Sequence, residues 1–253
     1  MKIIFTPLGL FLAMIRMLLI IGLVATHGAL IGLLPEKRRS ARAWVMQSFG
    51  RTLTWTLGIR ITLVGQPSEE RAILISNHRS YADIPVLAGI TPVVFLAKAE
   101  LAGWPVIGWA ARKARTVFVD RHNPESRERS RKELGSRLEE GLSVLVFSEG
   151  TTTARGRLDP LKPGMFHEAV EAGLPLQLVY LEFSEDEDSW IGDANVAGHF
   201  FSRFSRWRSD VKVCFRDDLL NLNQDDMTGT ELCQLATAWF HEQIQLEIGE
   251  IRP

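Results

Sequence analysis

A histidine and an aspartate five residues apart are the residues of this sequence best suited to acid–base chemistry. His78 follows a short apolar run that is typical of a strand, and a helix is expected to start near Ser80, before Asp83. Residues five apart in a regular helix are about 140° out of phase, so the pair can meet only if His78 lies on the turn before that helix. Asp83 would then fix one imidazole tautomer, and His78 could take a proton from an attacking hydroxyl.

The H-x-x-x-x-D spacing is a weak signal on its own, because it often arises by chance. The pair could serve acyl transfer, hydrolysis of an ester or thioester, or no reaction at all on a membrane-tethered scaffold without activity. A hydrolase of the common α/β type would be expected to carry a G-x-S-x-G segment, and the sequence contains none.

The charge is divided unevenly along the chain. Of 253 residues, 46% are hydrophobic and 23% charged, which is typical of a globular protein. Residues 1–60 carry eight basic residues and one acidic residue, a net of +7, which leaves -8 for the remainder of a chain whose net charge is -1. A basic, apolar N-terminal region on an acidic body indicates contact with an anionic membrane surface and no nucleic-acid partner.

Residues 3–34 form an almost continuous apolar run. The stretch Met17–Leu34 has 18 residues, about the lower limit for crossing a bilayer core. The run could form one tilted span or two shorter helices that enter one leaflet and return. A processed signal peptide or a buried soluble helix would be the alternatives, but Arg16 and the lack of a small-x-small cleavage site argue against a signal peptide. The basic residues that follow place the body on the cytoplasmic side of the cell inner membrane: Lys37, Arg38, Arg39 and Arg42.

Two further segments have a composition suited to the membrane interface. Residues 40–58 read as an amphipathic helix near the headgroups or as an ordinary helix packed on the body. Residues 184–210 are irregular and end in interleaved aromatic and basic side chains, which fit a membrane interface or a packed helix with a charged rim. These side chains are Phe200, Phe201, Phe204 and Trp207 with Arg203, Arg206 and Arg208.

From Ile59 onward, short β-type runs alternate with helical stretches. Helices are predicted over residues 124–140, 165–172 and 230–248 from their capping signals and Gly boundaries. The alternation predicts an α/β fold with a mainly parallel central sheet flanked by helices. Residues 1–58 would form the membrane element and residues 59–253 the catalytic domain. The predicted strands are Ile59–Val64, Ala72–Ser76, Val93–Leu96, Thr116–Val119, Ser143–Phe147, Leu176–Phe183 and Val211–Phe215.

Neither a disulfide nor a metal site is expected. Cys214 and Cys233 have no paired or metal-type spacing and are predicted to be buried thiols in a reducing compartment. The histidines show no ligand spacing among themselves or with cysteine. They include His78, His122, His167, His199 and His241.

The sequence segments around and after the His–Asp pair are more informative than the pair itself. Asn77-His78-x-x-x-x-Asp83 resembles the first motif of the glycerolipid acyltransferase family. Segments similar to the family's later blocks follow in the same order, and together they cover roughly residues 40–220. These segments are Lys98-Ala99-Glu100-Leu101 with Trp104-Pro105-Val106-Ile107-Gly108, Val117-Phe118-Val119-Asp120-Arg121, Phe147-Ser148-Glu149-Gly150-Thr151, Lys162-Pro163-Gly164-Met165-Phe166 and Leu174-Pro175-Leu176-Gln177-Leu178-Val179.

The resemblance implies transfer of a fatty acyl group from a thioester to the free hydroxyl of a lysolipid. The donor would be acyl-CoA or acyl-ACP, with no other cofactor, and the expected acceptor is 1-acyl-sn-glycerol-3-phosphate, giving phosphatidic acid. His78 would be the general base and Asp83 its orienter. The acceptor would attack directly, so Ser80 is not expected to form an acyl-enzyme. The tetrahedral oxyanion could be met by backbone N–H groups at the start of the helix after His78.

Residues for the acceptor's headgroup also follow from the resemblance. Arg121 can grip a phosphate with two parallel bonds, Gly150 allows close backbone approach and Thr151 offers a hydroxyl. Glu149 is expected to line the same site. Anion contacts are also proposed for Lys98 and Lys162, and similarly for Arg79 and Arg115.

Three positions depart from the family pattern. Ser148 and Leu178 stand where proline is usual, and both are interpreted as backbone adjustments. Thr152 stands where members that form phosphatidic acid often have an arginine thought to hold the acceptor's phosphate. The missing charge weakens the case for a lysophosphatidic acid acceptor and keeps lyso-ornithine lipid and lysophosphodiesters open.

Overall fold

The computed structural model describes residues 6–35, 37–104, 107–191, 196–220 and 227–251. Residues 105–106 of the Trp104–Gly108 motif segment lie outside the described residues. A seven-stranded sheet forms the centre, in the order β1-β7-β6-β2-β5-β3-β4. The strands are β1 Ile59–Val64, β2 Ile73–Ser76, β3 Val93–Lys98, β4 Val117–Val119, β5 Ser143–Phe147, β6 Leu176–Phe183 and β7 Ser209–Phe215.

All neighbouring strands are parallel except β6 and β7, which are antiparallel. The prediction of a mainly parallel sheet is therefore confirmed, and all seven strands lie where the sequence placed them. Because β2 to β6 run in one direction, their carboxyl ends share one edge of the sheet, called here the carboxyl edge. The segments that follow His78's strand, Arg121's strand and Glu149's strand all leave from this edge.

Helices cover both faces of the sheet. They are α1 Pro7–Leu33, α2 Arg39–Thr56, α3 Asp83–Ile90, α4 Ile107–Lys113, α5 Pro124–Glu139, α6 Gly164–Ala172, α7 Val196–Phe204 and α8 Gly229–Ile251, with 3₁₀ turns at Ala99–Gly103 and Asp186–Asp188. Ile73 and Ile75 of β2 face a core shared with α5, α6 and α8, while Leu74 faces a core shared with α1, α3 and α7. Burial on both faces explains why β6 is mainly apolar, although it also contains the buried polar residues Gln177 and Glu182.

The capping signals in the sequence act as predicted. The Asn123 side chain accepts hydrogen bonds from the backbone N–H groups of Glu125 and Ser126, and Pro124 is the first residue of α5. Gly173 ends α6 in the left-handed conformation, with φ of 61°. Cys214 is buried as expected, whereas Cys233 is only half-buried.

The N-terminal apolar run forms one continuous helix, α1, that is long and apolar enough to cross a membrane. At about 1.5 Å per residue its 27 residues span about 40 Å. A single stripe of the helix is buried, and it extends from one end of α1 to the other. The stripe consists of Gly9, Ala13, Arg16, Gly28 and Ile31.

The hydrogen bonds of Arg16 explain why a charged residue lies within the apolar run. Its guanidinium donates to the backbone carbonyls of Phe204 and Trp207, at 3.0 and 3.1 Å, and also to that of Arg206. Arg16 therefore satisfies carbonyl groups at the end of α7 and ties the first half of α1 to the body. Near the other end, Gly28 lies against the ring of Trp109 on α4.

Two glycines bring α2 against α3, the helix that begins with Asp83. A Cβ added at Gly50 would lie 2.5 Å from the backbone nitrogen of Gly89, so the two helices touch through their backbones. The contact is reinforced by Arg51, whose Nε donates to the Gly89 carbonyl at 2.9 Å. The N-terminal helices therefore support the helix that carries the orienting carboxylate.

Replacing Gly50 with alanine is expected to destabilise the protein by about 1–3 kcal/mol, because the added methyl group must push α2 from α3. Alanine's better helix propensity opposes this loss by about 1 kcal/mol. Gly22→Ala is the matched control, because a Cβ at Gly22 on α1 meets nothing within 4 Å. Urea unfolding of both variants measures the difference, and equal stabilities would contradict the close-packing account.

Candidate active site

The strand β2 delivers His78 to the carboxyl edge of the sheet. The preceding Asn77 is buried, and its side chain donates to the Leu181 carbonyl at 2.7 Å and accepts from the Leu181 N–H at 2.8 Å. This two-way bond fixes the end of β2 to β6. His78 lies on the following turn and Asp83 is the first residue of α3, which is the arrangement that the spacing required.

One carboxylate oxygen of Asp83 organises the whole turn. Asp83 Oδ2 lies 2.7 Å from His78 Nδ1 and accepts the backbone N–H groups of Arg79 and Ser80, at 2.6 and 3.0 Å. Since the carboxylate accepts, His78 carries its proton on Nδ1 and presents Nε2 as the basic nitrogen. The Asp83 carboxylate is fully buried, whereas the His78 side chain is 19% exposed and accessible to a reactant.

The imidazole of His78 is also held by stacking. Its ring lies on the ring of Phe147 with centroids 3.9 Å apart and an interplanar angle of 12°. Together with the bond to Asp83, this contact leaves the imidazole little rotational freedom. The pair therefore has the geometry of a base and its orienter.

Four of the amides expected to bind an oxyanion beside His78 already lie against an acceptor within the turn. The N–H groups of Arg79 and Ser80 are taken by Asp83, that of Ala82 is 3.4 Å from Ser80 Oγ, and that of Asp83 donates to the Ser80 carbonyl at 3.1 Å. These hydrogen bonds stabilise the turn itself. The N–H groups of Tyr81 and Ile84 are not among these donors, so an oxyanion site in this segment stays a prediction.

Glu149 lies behind the turn, away from the position expected for a headgroup contact. Its Oε1 accepts the His78 backbone N–H at 2.8 Å, and its Oε2 accepts the Asp159 N–H at 2.9 Å. Burial raises the pKa of the Glu149 carboxyl. Thr153 holds the other side of the same residue, because its N–H donates to the His78 carbonyl at 2.9 Å. The Glu149 carboxylate thus fixes the backbone at His78.

Arg79 is also in a different place from the one expected for an anion contact. The side chain is fully buried and forms a two-pronged ion pair with Glu182, at 2.7 and 2.9 Å. It also donates to Thr153 Oγ1. Glu182 is completed by the Tyr180 hydroxyl and the Gly156 N–H, both at 3.0 Å. Arg79 is therefore part of a buried network beneath the turn.

A groove of about 700 Å³ opens beside Phe147, the residue on which His78 stacks. The groove contains three of the predicted binding residues, Arg121, Gly150 and Lys162. Burial lowers the pKa of the Arg121 guanidinium, partly offset by the charge of Glu100, but an arginine stays charged at neutral pH. The structure thus brings these cations together at the carboxyl edge.

Other predicted residues lie around this groove. Lys98 is exposed at the end of β3, and Thr151 is exposed next to Gly150, but neither lines the groove. Two lining cations were missed from the sequence, Arg127 and Arg131 on α5. Their spacing of four residues on a helix that starts just after Arg121 could have indicated that they share its face.

Gly150 has a conformation that only glycine adopts without strain, with φ of 76°. A Cβ there would lie 2.4 Å from Lys162 Nζ, so the lysine side chain covers the glycine. Gly150→Ala is expected to cost about 1–2 kcal/mol of stability, because the left-handed conformation strains any residue with a Cβ. It should also raise KM, because Lys162 is displaced.

Gly164→Ala serves as the control for this prediction, since Gly164 lines the same groove and a Cβ there meets nothing within 4 Å. Thermal unfolding and acyl-transfer kinetics of both variants make the comparison. Indistinguishable variants would contradict the assignment of Gly150.

The segment of residues 184–210 packs beside the motif turn. Asp188 is buried and accepts from Arg203 at 2.8 Å and from Arg206 at 2.9 Å. Phe204 is also buried, and Phe200 stacks on Tyr81 of the motif with centroids 4.0 Å apart. The packed-helix alternative therefore describes most of this segment. Among its aromatic side chains Phe201 and Trp207 are exposed, at 42% and 69%.

Comparison with known proteins gives consistent results. Residues 60–182 match the family model described as Acyltransferase. The chain is 31% identical over 184 residues to a lyso-ornithine lipid O-acyltransferase of Pseudomonas aeruginosa, covering 71% of this chain and 69% of the relative. A protein of the same name in Rhizobium meliloti is 36% identical over 193 residues, with coverage of 69% and 66%.

Relatives with a second substrate name are also similar. A 1-acyl-sn-glycerol-3-phosphate acyltransferase of Neisseria meningitidis serogroup B is 30% identical over 155 residues, covering 60% of this chain and 59% of the relative. The crystal structure of the 1-acyl-sn-glycerophosphate acyltransferase PlsC from Thermotoga maritima superposes with a TM-score of 0.70 at 22% identity. That match covers 97% of this chain and 96% of the other and supports the same fold.

Proposed function

The chain belongs to the acyltransferase family and is an enzyme of the lysolipid O-acyltransferase type, and we propose that its acceptor is lyso-ornithine lipid. The observation that carries the proposal is the extent of the similarity. The matches to the lyso-ornithine lipid acyltransferases of Pseudomonas aeruginosa and Rhizobium meliloti span 69% and 66% of those proteins, whereas the match to the Neisseria meningitidis enzyme spans 59%. Thr152 agrees with it, because an ornithine headgroup carries no phosphate that would need an arginine there.

A phosphate-bearing acceptor, 1-acyl-sn-glycerol-3-phosphate, is the second candidate. It is favoured by the groove beside Phe147, where Arg121 and Lys162 could pair with a phosphomonoester. In either case we assign Arg121, Gly150 and Lys162 to substrate binding, with Thr151 and Lys98 at the rim. Glu149 is assigned a positioning role through its bond to the His78 backbone.

The proposed reaction needs one base that later acts as an acid. His78 Nε2 accepts the proton of the acceptor's hydroxyl as its oxygen attacks the carbonyl carbon of the thioester. The tetrahedral intermediate then collapses, the carbon–sulfur bond breaks, and Nε2–H returns the proton to the leaving thiolate. Asp83 stabilises the imidazolium between these steps through the bond to Nδ1. The products are an ester and the free thiol of coenzyme A or acyl carrier protein.

The buried stripe of α1 favours entry into one leaflet over a crossing of the bilayer. A spanning helix would contact the body at one end, whereas α1 is covered from Gly9 to Ile31 and leaves its other face apolar and exposed. We propose that residues 1–58 hold the enzyme on the cytoplasmic face of the inner membrane, with residues 59–253 as the catalytic domain. This placement would let a lysolipid reach His78 without leaving the membrane.

Acceptor competition tests the proposed function. Purified protein would receive acyl-CoA, or acyl-ACP in a parallel reaction, with equal amounts of lyso-ornithine lipid and 1-acyl-sn-glycerol-3-phosphate. Mass spectrometry of the products would give the ratio of kcat/KM values. We expect ornithine lipid to be the main product. Phosphatidic acid as the main product would contradict the proposal and favour the second candidate.

A further inference from the structure

A second groove, of about 780 Å³, lies at the opposite edge of the sheet from His78. It is bounded by the start of α2, the end of α4 and the last turns of α5. Thr116, which lines it, directly precedes β4, whereas His78 follows β2, and the two strands run in the same direction. We call it the amino-edge groove. Its charged lining residues are Lys37, Arg42, Arg112, Lys113, Arg115 and Arg137 with Glu133 and Glu140.

The charges of the amino-edge groove do not balance. Six cations face two carboxylates, a net of +4. Glu140 lies 2.5 Å from Arg115, and Glu133 lies 2.8 Å from Arg137, so the carboxylates are engaged by these two arginines. Within the described ranges, the remaining four cations have no carboxylate partner. An anion from outside the chain would therefore find unneutralised positive charge.

The walls of the groove are fixed by one of these cations. Arg42 donates to the carbonyls of Ile31 and Leu34, at 2.9 and 3.0 Å, where α1 ends. A third bond, at 3.4 Å, reaches the carbonyl of Lys113 at the end of α4. A cation at the end of a helix is favourably placed for the helix dipole. The end of α1 and the end of α4 are thus joined across the groove.

Arg115 occupies a position where glycine would be favoured. Its φ is 64°, and the Thr116 N–H donates to the Ala111 carbonyl at 3.0 Å, which is the usual helix-ending pattern with glycine in the left-handed position. Arg115 is the sole non-glycine residue with positive φ among those that the structure describes. This backbone conformation accompanies an Arg115 side chain that lines the groove and pairs there with Glu140.

The groove borders the apolar surface of α1. Trp109 lines the groove, and its ring packs on Gly28 of α1 while remaining 40% exposed. Leu30 and Leu33 in the last turn of α1 are exposed, at 48% and 82%. The apolar side chains, the tryptophan and the cations without a carboxylate partner follow one another in the order of the layers at a membrane surface, from acyl chains to phosphate groups.

We propose that the amino-edge groove binds the phosphate headgroups of anionic phospholipids and so docks the enzyme on the membrane. The proposal rests on the membrane placement of α1 given above. An acidic carrier protein is the competing partner, but it would gain nothing from the apolar border. The lipid is therefore the better match to the charge and its surroundings.

Vesicle sedimentation of the full chain tests the groove. Vesicles of phosphatidylcholine, with and without phosphatidylglycerol, would be mixed with wild type and with the double variant Arg112→Gln/Lys113→Gln. Each cation near an anionic surface is worth about 1 kcal/mol, so removing both should weaken the binding that depends on phosphatidylglycerol by about 30-fold at low salt. Binding to pure phosphatidylcholine should not change.

The control variant Arg129→Gln/Lys132→Gln removes the same charge from exposed positions of α5 that do not line the groove. It should bind like wild type. An equal loss of vesicle binding in both variants would show that the attraction depends on overall charge. Unchanged binding in Arg112→Gln/Lys113→Gln would show that the groove does not bind lipid. Either result overturns the proposal. So would loss of acyl carrier protein binding in the first variant with vesicle binding intact.

Acyl transfer in detergent micelles separates this proposal from the proposed function. Arg112→Gln/Lys113→Gln should keep the micellar rate, since neither residue is placed in the catalytic site. Absence of activity in the wild type would refute the proposed function and would leave the vesicle result to decide on the groove. A micellar rate lost together with vesicle binding would contradict a purely docking role.

Discussion

Replacing His78 with alanine is expected to lower kcat for ester formation by about 10²–10⁴-fold, the usual contribution of a positioned general base. The KM for the lysolipid should change little, because His78 is proposed to transfer a proton and does not line the groove assigned to substrate binding. Asp83→Asn should also reduce kcat, because an amide can donate to Nδ1 and turn the basic nitrogen away from the substrate.

Initial rates at saturating donor and acceptor measure this effect. His241→Ala is the matched control, since His241 is exposed on α8 and is not part of the site. Circular dichroism would show that each variant is folded. A His78→Ala enzyme that retains more than about one tenth of the wild-type kcat would remove His78 from the role of base.

The largest effect on stability is expected from Arg79→Met. The change leaves Glu182 buried without its counter-charge, and breaking a buried pair in this way typically costs about 3–5 kcal/mol. The network also involves the Tyr180 hydroxyl and the Gly156 N–H, so one substitution disturbs several buried groups. Activity should fall as well, because Arg79 follows His78 directly.

A double variant, Arg79→Met/Glu182→Leu, separates lost charge pairing from lost packing. It should be more stable than the single variant, since no unpaired charge remains buried. Urea unfolding gives the two free energies, and Lys132→Met, which breaks an exposed pair with Glu128, should unfold like wild type. A double variant less stable than Arg79→Met would contradict the buried-charge explanation.

The sequence predicted the strands well because the central strands, which are buried on both faces, are short and mainly apolar. Ile73 to Ser76 and Leu176 to Phe183 are buried throughout, so their hydrophobicity reports position directly. The caps Asn123 and Gly173 are local interactions and were equally readable. The antiparallel pairing of β7 with β6 depends on long-range contacts, which no local pattern encodes.

The site was predicted less completely, for a physical reason. Residue type shows that Glu149 can accept hydrogen bonds and that Arg79 can bind an anion. It does not show that backbone amides already occupy the Glu149 carboxylate or that a buried carboxylate already pairs with Arg79. Asp159 and Glu182, the partners that decide this, are 10 and 103 residues away along the chain. The contact between His78 and Asp83 was predictable because it is local, and because the motif segments that follow the pair supplied the support that its spacing alone lacked.

The path of the acyl group tests the central claim most directly. Purified protein would receive thioester labelled in the acyl chain, first without and then with lyso-ornithine lipid, and all products would be separated from protein after denaturation. Direct transfer predicts no labelled protein and little free fatty acid without acceptor, then labelled ester with acceptor that His78→Ala does not form. Label bound covalently to the protein, or free fatty acid as the main product with acceptor present, would contradict direct acyl transfer by a His78-activated hydroxyl.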